Sequence, residues 1–173
     1  MSFDGNTQSG RHGGRPSDKM NSNRKHPVHL PPAEQFNAPV IVFVTVCTKN
    51  RKPILASAGA YALLLKAWIA ADSWLVGRYV VMPDHVHLFC APAKSDALPL
   101  INWVHFWKSY TSQRWQIRKD LPIWQRHFWD RQLRCGESYD NKWTYVMENP
   151  IRAGLVMQSR DWPYQGKIND LIW

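Results

Sequence analysis

The sequence predicts an α+β domain with helices packed on one face of an antiparallel sheet. Three observations lead there. Runs of β-branched and aromatic residues recur at 40–46, 74–82 and 85–91. Two longer stretches with helical spacing occupy 58–73 and 98–118. The dipeptide Pro83-Asp84 joins the second and third runs in a tight turn, which makes those strands hairpin partners.

The elements follow in order. The longest apolar run, 39–47, contains Val40-Ile41-Val42-Phe43-Val44-Thr45-Val46 and reads as a buried strand. Lys49 to Pro53 is a polar break. Residues 58–73 are rich in alanine and leucine, which lose little entropy in a helix. In 98–118, Trp103, Trp107 and Tyr110 recur at spacings of three and four, and His105 between them is expected to be partly buried. Residues 124–133 mix aromatic and basic side chains and read as a short strand or extended segment. Of these, Trp124, His127, Phe128 and Trp129 fit the core better than base stacking. A third helix is expected at 137–148, disturbed by Pro150 and followed by a turn ending at Gly154. The order β-α-β-β-α-β-α matches a ferredoxin-like, RRM-like sandwich.

Composition bounds the rest. A length of 173 residues suits one domain with a tail. Residues 1–35 are expected to be a disordered basic arm, and residues 36–173 the folded domain. Through residue 30 that arm holds five Lys or Arg against Asp4 and Asp18, too polar to offset its ordering entropy. The whole chain carries 22 basic and 13 acidic residues, a net charge of +9, which points to a polyanionic partner. No apolar run reaches the roughly 20 residues needed to span a bilayer. The first twenty residues lack the apolar centre of a secretory signal. Cys47, Cys90 and Cys135 form no CxxC and cannot all pair, so a reducing cytoplasm is expected, and with it a nucleoid-associated protein.

Two constellations carry chemistry. His85 and His87 flank Val86 in a strand, so both imidazoles point to one face while Val86 faces the core. Two imidazoles at that spacing can converge on one divalent ion, or sit as two hydrogen-bonded histidines without one. Tyr145 and Asn149 are four residues apart and share a face if one helix spans both. The phenol can be a nucleophile and the amide oxygen a neutral ligand; a packing tyrosine and a helix-terminal asparagine are the plain alternative. A basic set, Lys108, Arg114, Arg118, Arg126, Arg131 and Arg134, with Lys119, fits either phosphate contacts or a solvated face. Asp84 reads as a turn residue.

Together these fragments resemble a known family. Tyr79-Val80-Val81-Met82-Pro83-Asp84-His85-Val86-His87-Leu88-Phe89 is similar to the metal-binding motif of single-tyrosine HUH transposases, the IS200-like transposase family. Residues 145–156, YVMENPIRAGLV, resemble the catalytic-tyrosine region. Residues 124–130, WQRHFWD, and 161–164, DWPY, resemble the REP-associated tyrosine transposase branch. The resemblance covers residues 39–165 in the expected order. It implies a sheet bearing the two histidines on a central strand, with the tyrosine on an adjacent helix. It implies nicking and rejoining of single-stranded DNA at hairpin-forming palindromes, without a nucleotide cofactor. In that role Tyr145 forms a 5′-phosphotyrosine, and His85, His87 and Asn149 hold Mg²⁺ or Mn²⁺. The implied partner is single-stranded or hairpin DNA, not a membrane, and both a monomer and a homodimer are compatible. A domesticated relative that binds structured single-stranded DNA or RNA without cutting is the alternative, and a hydrolytic nuclease is a third.

Overall fold

The structure, a computed structural model, describes Met1, residues 40–133 and residues 139–171. The basic arm therefore lies outside the described residues, as do Arg134, Cys135 and the first two positions of the expected third helix. The elements are β1 (Val42–Cys47), α1 (Ala58–Ala70), β2 (Trp74–Val81), β3 (His85–Pro92), α2 (Leu100–Arg114), β4 (Trp129–Gln132), α3 (Tyr139–Met147), α4 (Asn149–Arg152) and β5 (Gln165–Lys167). The strands form one sheet in the order β4-β1-β3-β2-β5, with every neighbouring pair antiparallel. The first four strands have the ferredoxin-like arrangement expected. The fifth is an addition at the β2 edge. Three residues centred on Gly166 have no alternation by which sequence could reveal it.

Side-chain alternation sorts the strands into two faces. Val42, Val44 and Val46 of β1 and Val86, Leu88 and Cys90 of β3 bury one face beneath α1 and α2. Helix α1 opens at Ser57, whose hydroxyl accepts from the Ala60 amide at 3.3 Å. It ends at Ala70, and α2 ends at Arg114, a few residues short of expectation. Trp115 turns extended there, and its indole donates to Asp120 at 3.2 Å. Helix α2 directs Leu100, Trp103, Val104, Trp107, Lys108 and Thr111 inward. His105 falls on the opposite side of that wheel and is exposed, contrary to expectation. Tryptophans cement this layer. Trp107 lies edge-on to Trp68, Trp103 and Trp124, with centroids 5.4–6.3 Å apart.

The other face is covered only in part. Helix α3 does not join α1 and α2; it lies on the opposite side, where Tyr139 and Trp143 pack edge-on against Phe89. Val146, Ile41, Val80, Met82 and Trp162 complete this second core. Two residues of β2, Gly77 and Arg78, form a bulge between Val76 and Tyr79. The Tyr139 hydroxyl accepts the Arg78 amide at 3.1 Å there. A Cβ on Gly77 would meet the Leu171 side chain at 2.6 Å and that hydroxyl at 2.8 Å, so only glycine lets α3 and the C-terminal segment approach so closely. Helix α3 thus covers the Phe89 half of this face and leaves the half bearing His85 and His87 accessible. Among the described residues, no helix is long and apolar enough to cross a membrane.

Candidate active site

β3 begins at His85, directly after the Pro83-Asp84 turn, and pairs along its length with β1. Cross-strand partners share a face, so His87 lies beside Thr45. The Thr45 hydroxyl is 2.8 Å from His87 Nδ1, and an Asp84 carboxylate oxygen is 2.7 Å from His85 Nδ1. An ionised carboxylate only accepts, so His85 carries its proton on Nδ1 and turns a lone pair outward from Nε2. The two Nε2 atoms face each other at 3.1 Å. Thr45 can either donate or accept, so it suits both tautomers of His87.

Electrostatics keep both rings neutral. Burial lowers the His87 pKa to about 3, reinforced by repulsion from His85, Arg51, Lys142 and Arg152. Burial also lowers that of His85, opposed by its bond to Asp84. Neutral imidazoles are the ligating form.

Asp84 is more than a turn residue. Its second oxygen pairs with Arg51 Nε at 2.7 Å, and Arg51 Nη1 also donates to Cys47 Sγ at 2.7 Å. Arg51 reaches this position from a turn in which Asn50 (φ 57°) and Arg51 (φ 55°) are both left-handed. Each such residue other than glycine costs on the order of 1 kcal/mol. Buried Thr48 offsets part of that cost by tying the two turns together: its amide donates to the Asp84 carbonyl at 2.9 Å. Sequence reasoning missed Arg51, because two left-handed non-glycine residues leave no pattern.

Tyr145 and Asn149 do not share one unbroken helix. Glu148 separates α3 from α4, and Pro150 sits in the first turn of α4. The Arg152 side chain closes that joint. Its guanidinium donates to the Tyr145 carbonyl, to Asn149 Oδ1 at 2.8 Å and to Glu148 at 3.2 Å, and lies 4.2 Å over the Tyr145 ring. The phenol itself is exposed. Lys142 links the two halves of the site: its ammonium is 5.3 Å from the Phe43 ring, which stacks on His87, and 5.8 Å from the Tyr145 ring.

The basic set divides. Arg114, Arg118, Arg126 and Arg131 are exposed. Lys108 is not. It is buried on α2, and its ammonium donates to the Gln125 carbonyl at 2.6 Å and the Arg126 carbonyl at 3.2 Å. Burial pulls its pKa down to about 8. The expectation of a phosphate contact is therefore corrected, since this lysine braces the segment leading into β4. Trp124 and Phe128 are core, as expected, while Trp129 is half exposed.

Residues 39–148 match the family described as "Transposase IS200 like". The chain belongs to the IS200-like transposase family. It is 28% identical over 134 residues to the REP-associated tyrosine transposase of Escherichia coli K12, covering 70% of this chain and 73% of that protein. A Haemophilus influenzae relative is 28% identical over 101 residues, and the chain spans just over half of its length, 57%. Among solved structures, a REP-associated tyrosine transposase bound to a REP hairpin superposes with a TM-score of 0.63 at 26% identity, covering 72% of this chain and 74% of that one. The family match ends between Tyr145 and Asn149, inside the joint that Arg152 closes.

Replacing Lys108 with alanine removes the donor to the Gln125 and Arg126 carbonyls and a buried stem from the core edge. The expected loss is about 2 kcal/mol or more of stability, measured by thermal unfolding, with no change in the salt dependence of DNA binding. A shallower salt slope would return Lys108 to the binding surface.

Proposed function

We propose that this chain is a DNA strand transferase that nicks and rejoins single-stranded DNA beside hairpin-forming palindromes through a 5′-phosphotyrosine, with a divalent ion as cofactor. One observation carries the reading: two neutral imidazoles, each anchored at Nδ1, converge their Nε2 atoms to 3.1 Å on a sheet face that Lys142 links to the Tyr145 ring by way of Phe43. Anchoring of the distal nitrogen by a carboxylate or hydroxyl is the usual support of a metal-bound histidine. Adjacent ligands of an octahedral ion with bonds of about 2.1 Å lie about 3 Å apart, so the spacing fits. Among the described residues no three His, Cys, Asp or Glu side chains cluster for a metal. A third protein donor is then a neutral oxygen, and Asn149 Oδ1 keeps a lone pair beside its bond to Arg152. His85, His87 and Asn149 would hold the ion, with imidazole favouring Mn²⁺ over Mg²⁺ in affinity. When bound, it would polarise the phosphate oxygens as a Lewis acid.

The chain's own residues supply the rest. The Tyr145 oxygen attacks the scissile phosphorus and the bond to the 3′ oxygen breaks. The phenolic proton passes to solvent, and the departing oxygen takes up a proton as a 3′-hydroxyl. The phosphotyrosine ester conserves the bond, so reverse attack by a 3′-hydroxyl reseals the strand without a nucleotide. Lys142 and Arg152 flank the Tyr145 ring and set positive charge where the phosphate must arrive. The likeness to a relative solved with a REP hairpin supports hairpin DNA as substrate. A non-catalytic binder is the second reading. The bond from Arg152 to Asn149 Oδ1 favours it, because it already takes one of the two lone pairs of the third donor.

Four measurements test the proposal. With Mn²⁺ and hairpin-bearing single strands, wild-type protein should form an adduct that survives denaturing electrophoresis. Tyr145→Phe should lose it by at least a thousandfold while binding DNA within about twofold, and a surviving adduct would assign the nucleophile elsewhere. His87→Ala should abolish metal-stimulated cleavage; free 5′-phosphate ends without adduct in the wild type would indicate a hydrolase. Arg51→Gly accommodates the left-handed backbone but removes the guanidinium. Its unfolding temperature should hold or rise, while Mn²⁺ affinity by electron paramagnetic resonance should fall by about tenfold. Unchanged affinity would detach Arg51 from the site.

A further inference from the structure

Among the described tryptophans, Trp129 alone is exposed. It opens β4, the strand at the sheet edge, and is 49% exposed. Among the described residues its indole has neither a ring partner nor a hydrogen bond. Its place in the sheet is specific. Thr45 of β1 pairs with Trp129 on one side and with His87 on the other, so the three residues form one cross-strand row on one face. Two strand spacings of about 4.8 Å put the Trp129 backbone about 10 Å from that of His87. The next row repeats the arrangement, with Arg131 and Phe89 on either side of Phe43. Arg131 therefore shares the face, together with Lys142 above Phe43. The acids near this face are committed: Asp84 to Arg51 and His85, and Glu148 to Arg152.

A half-exposed indole on a rigid strand, level with the histidine pair and within a basic surround, matches one ligand chemistry. We infer that Trp129 is a stacking platform for an unpaired base one to three nucleotides from the scissile phosphate. A packing role fails to explain it, because Trp124 and Phe128 already fill the adjoining core. A partner of acidic protein surface would use the cations but leave the indole without a planar counterpart. Every base has a π-face, so the platform holds the strand in place without reading its sequence. The assignment deepens the strand-transfer reading and rests on it for the polynucleotide ligand.

The test is metal-free binding, separate from cleavage. Full-length protein in EDTA is titrated into fluorescein-labelled dT12, and into a twelve-nucleotide strand of the same charge whose bases are replaced by abasic sites. Wild type should prefer dT12. Trp129→Thr keeps a strand-forming residue but should weaken dT12 binding by about tenfold, with abasic binding unchanged. Trp129→Tyr should retain most of the preference. Equal binding of the two strands by wild type, or unaltered dT12 binding by Trp129→Thr, would overturn the platform. Should Trp129→Thr fold poorly, loss of the preference in Trp129→Gln with an unchanged unfolding temperature would support it, and retention would refute it. If the preference depends on Trp129 but Tyr145 never forms an adduct, the platform stands and the strand-transfer reading falls.

Discussion

The antiparallel register between β1 and β3 is the constraint on which the rest depends. It sets Thr45 against His87, and Val44 against Leu88 on the opposite face. The valines and Leu88 are fully buried, so a slip of one residue would expose a core and bury two imidazoles. Hydrophobic burial thus holds the histidines in place although neither contributes to the main core. It also explains why the site sits on central strands, where both neighbours hold the backbone still.

Rigidity beyond the strands comes from two arginines. Arg51 anchors Asp84, which fixes the tautomer of His85, and it does so from a turn with unfavourable backbone angles at two successive residues. Strain of that kind persists only where neighbouring contacts over-determine it, and the Thr48 bonds to the Asp84 turn supply them. Arg152 plays the corresponding part at the tyrosine, bonding across the interruption between α3 and α4. The two guanidiniums hold the histidine and tyrosine halves of the site, and both add to the burial that keeps His87 neutral.

The division of the sheet's outer face has a physical origin in size. A nine-residue α3 is about 14 Å long, enough to cover Phe89 and its neighbours but not the row through His87 and Trp129. The glycine in the β2 bulge sets how near that helix comes. What is left uncovered is a floor of imidazole, hydroxyl and indole edged by cations, a surface suited to a flat base and a charged phosphate together.

Much of this was legible beforehand. Runs of β-branched and aromatic residues announced β1, β2 and β3, Pro83-Asp84 announced the hairpin, and the HxH spacing placed both histidines on one face, because these are local properties of a strand. Helix α2 was legible from its tryptophans, though its end at Trp115 was not, since that depends on the contact with Asp120. Lys108 and Trp129 were read the wrong way round. Residue type argues that lysines are exposed and tryptophans buried, and only a pair of distant carbonyls and an edge-strand position reverse it. Arg51 left no trace, because it meets Asp84 only once two separate turns are brought together, and Arg152 left none because its bonds to Tyr145, Glu148 and Asn149 depend on the break between α3 and α4. The sequence alone determined which residues alternate, and so the strands and the pairing of the two imidazoles. Tertiary structure alone decided which cations brace and which are exposed, because burial and hydrogen-bond partners belong to the folded chain and not to any local stretch of it.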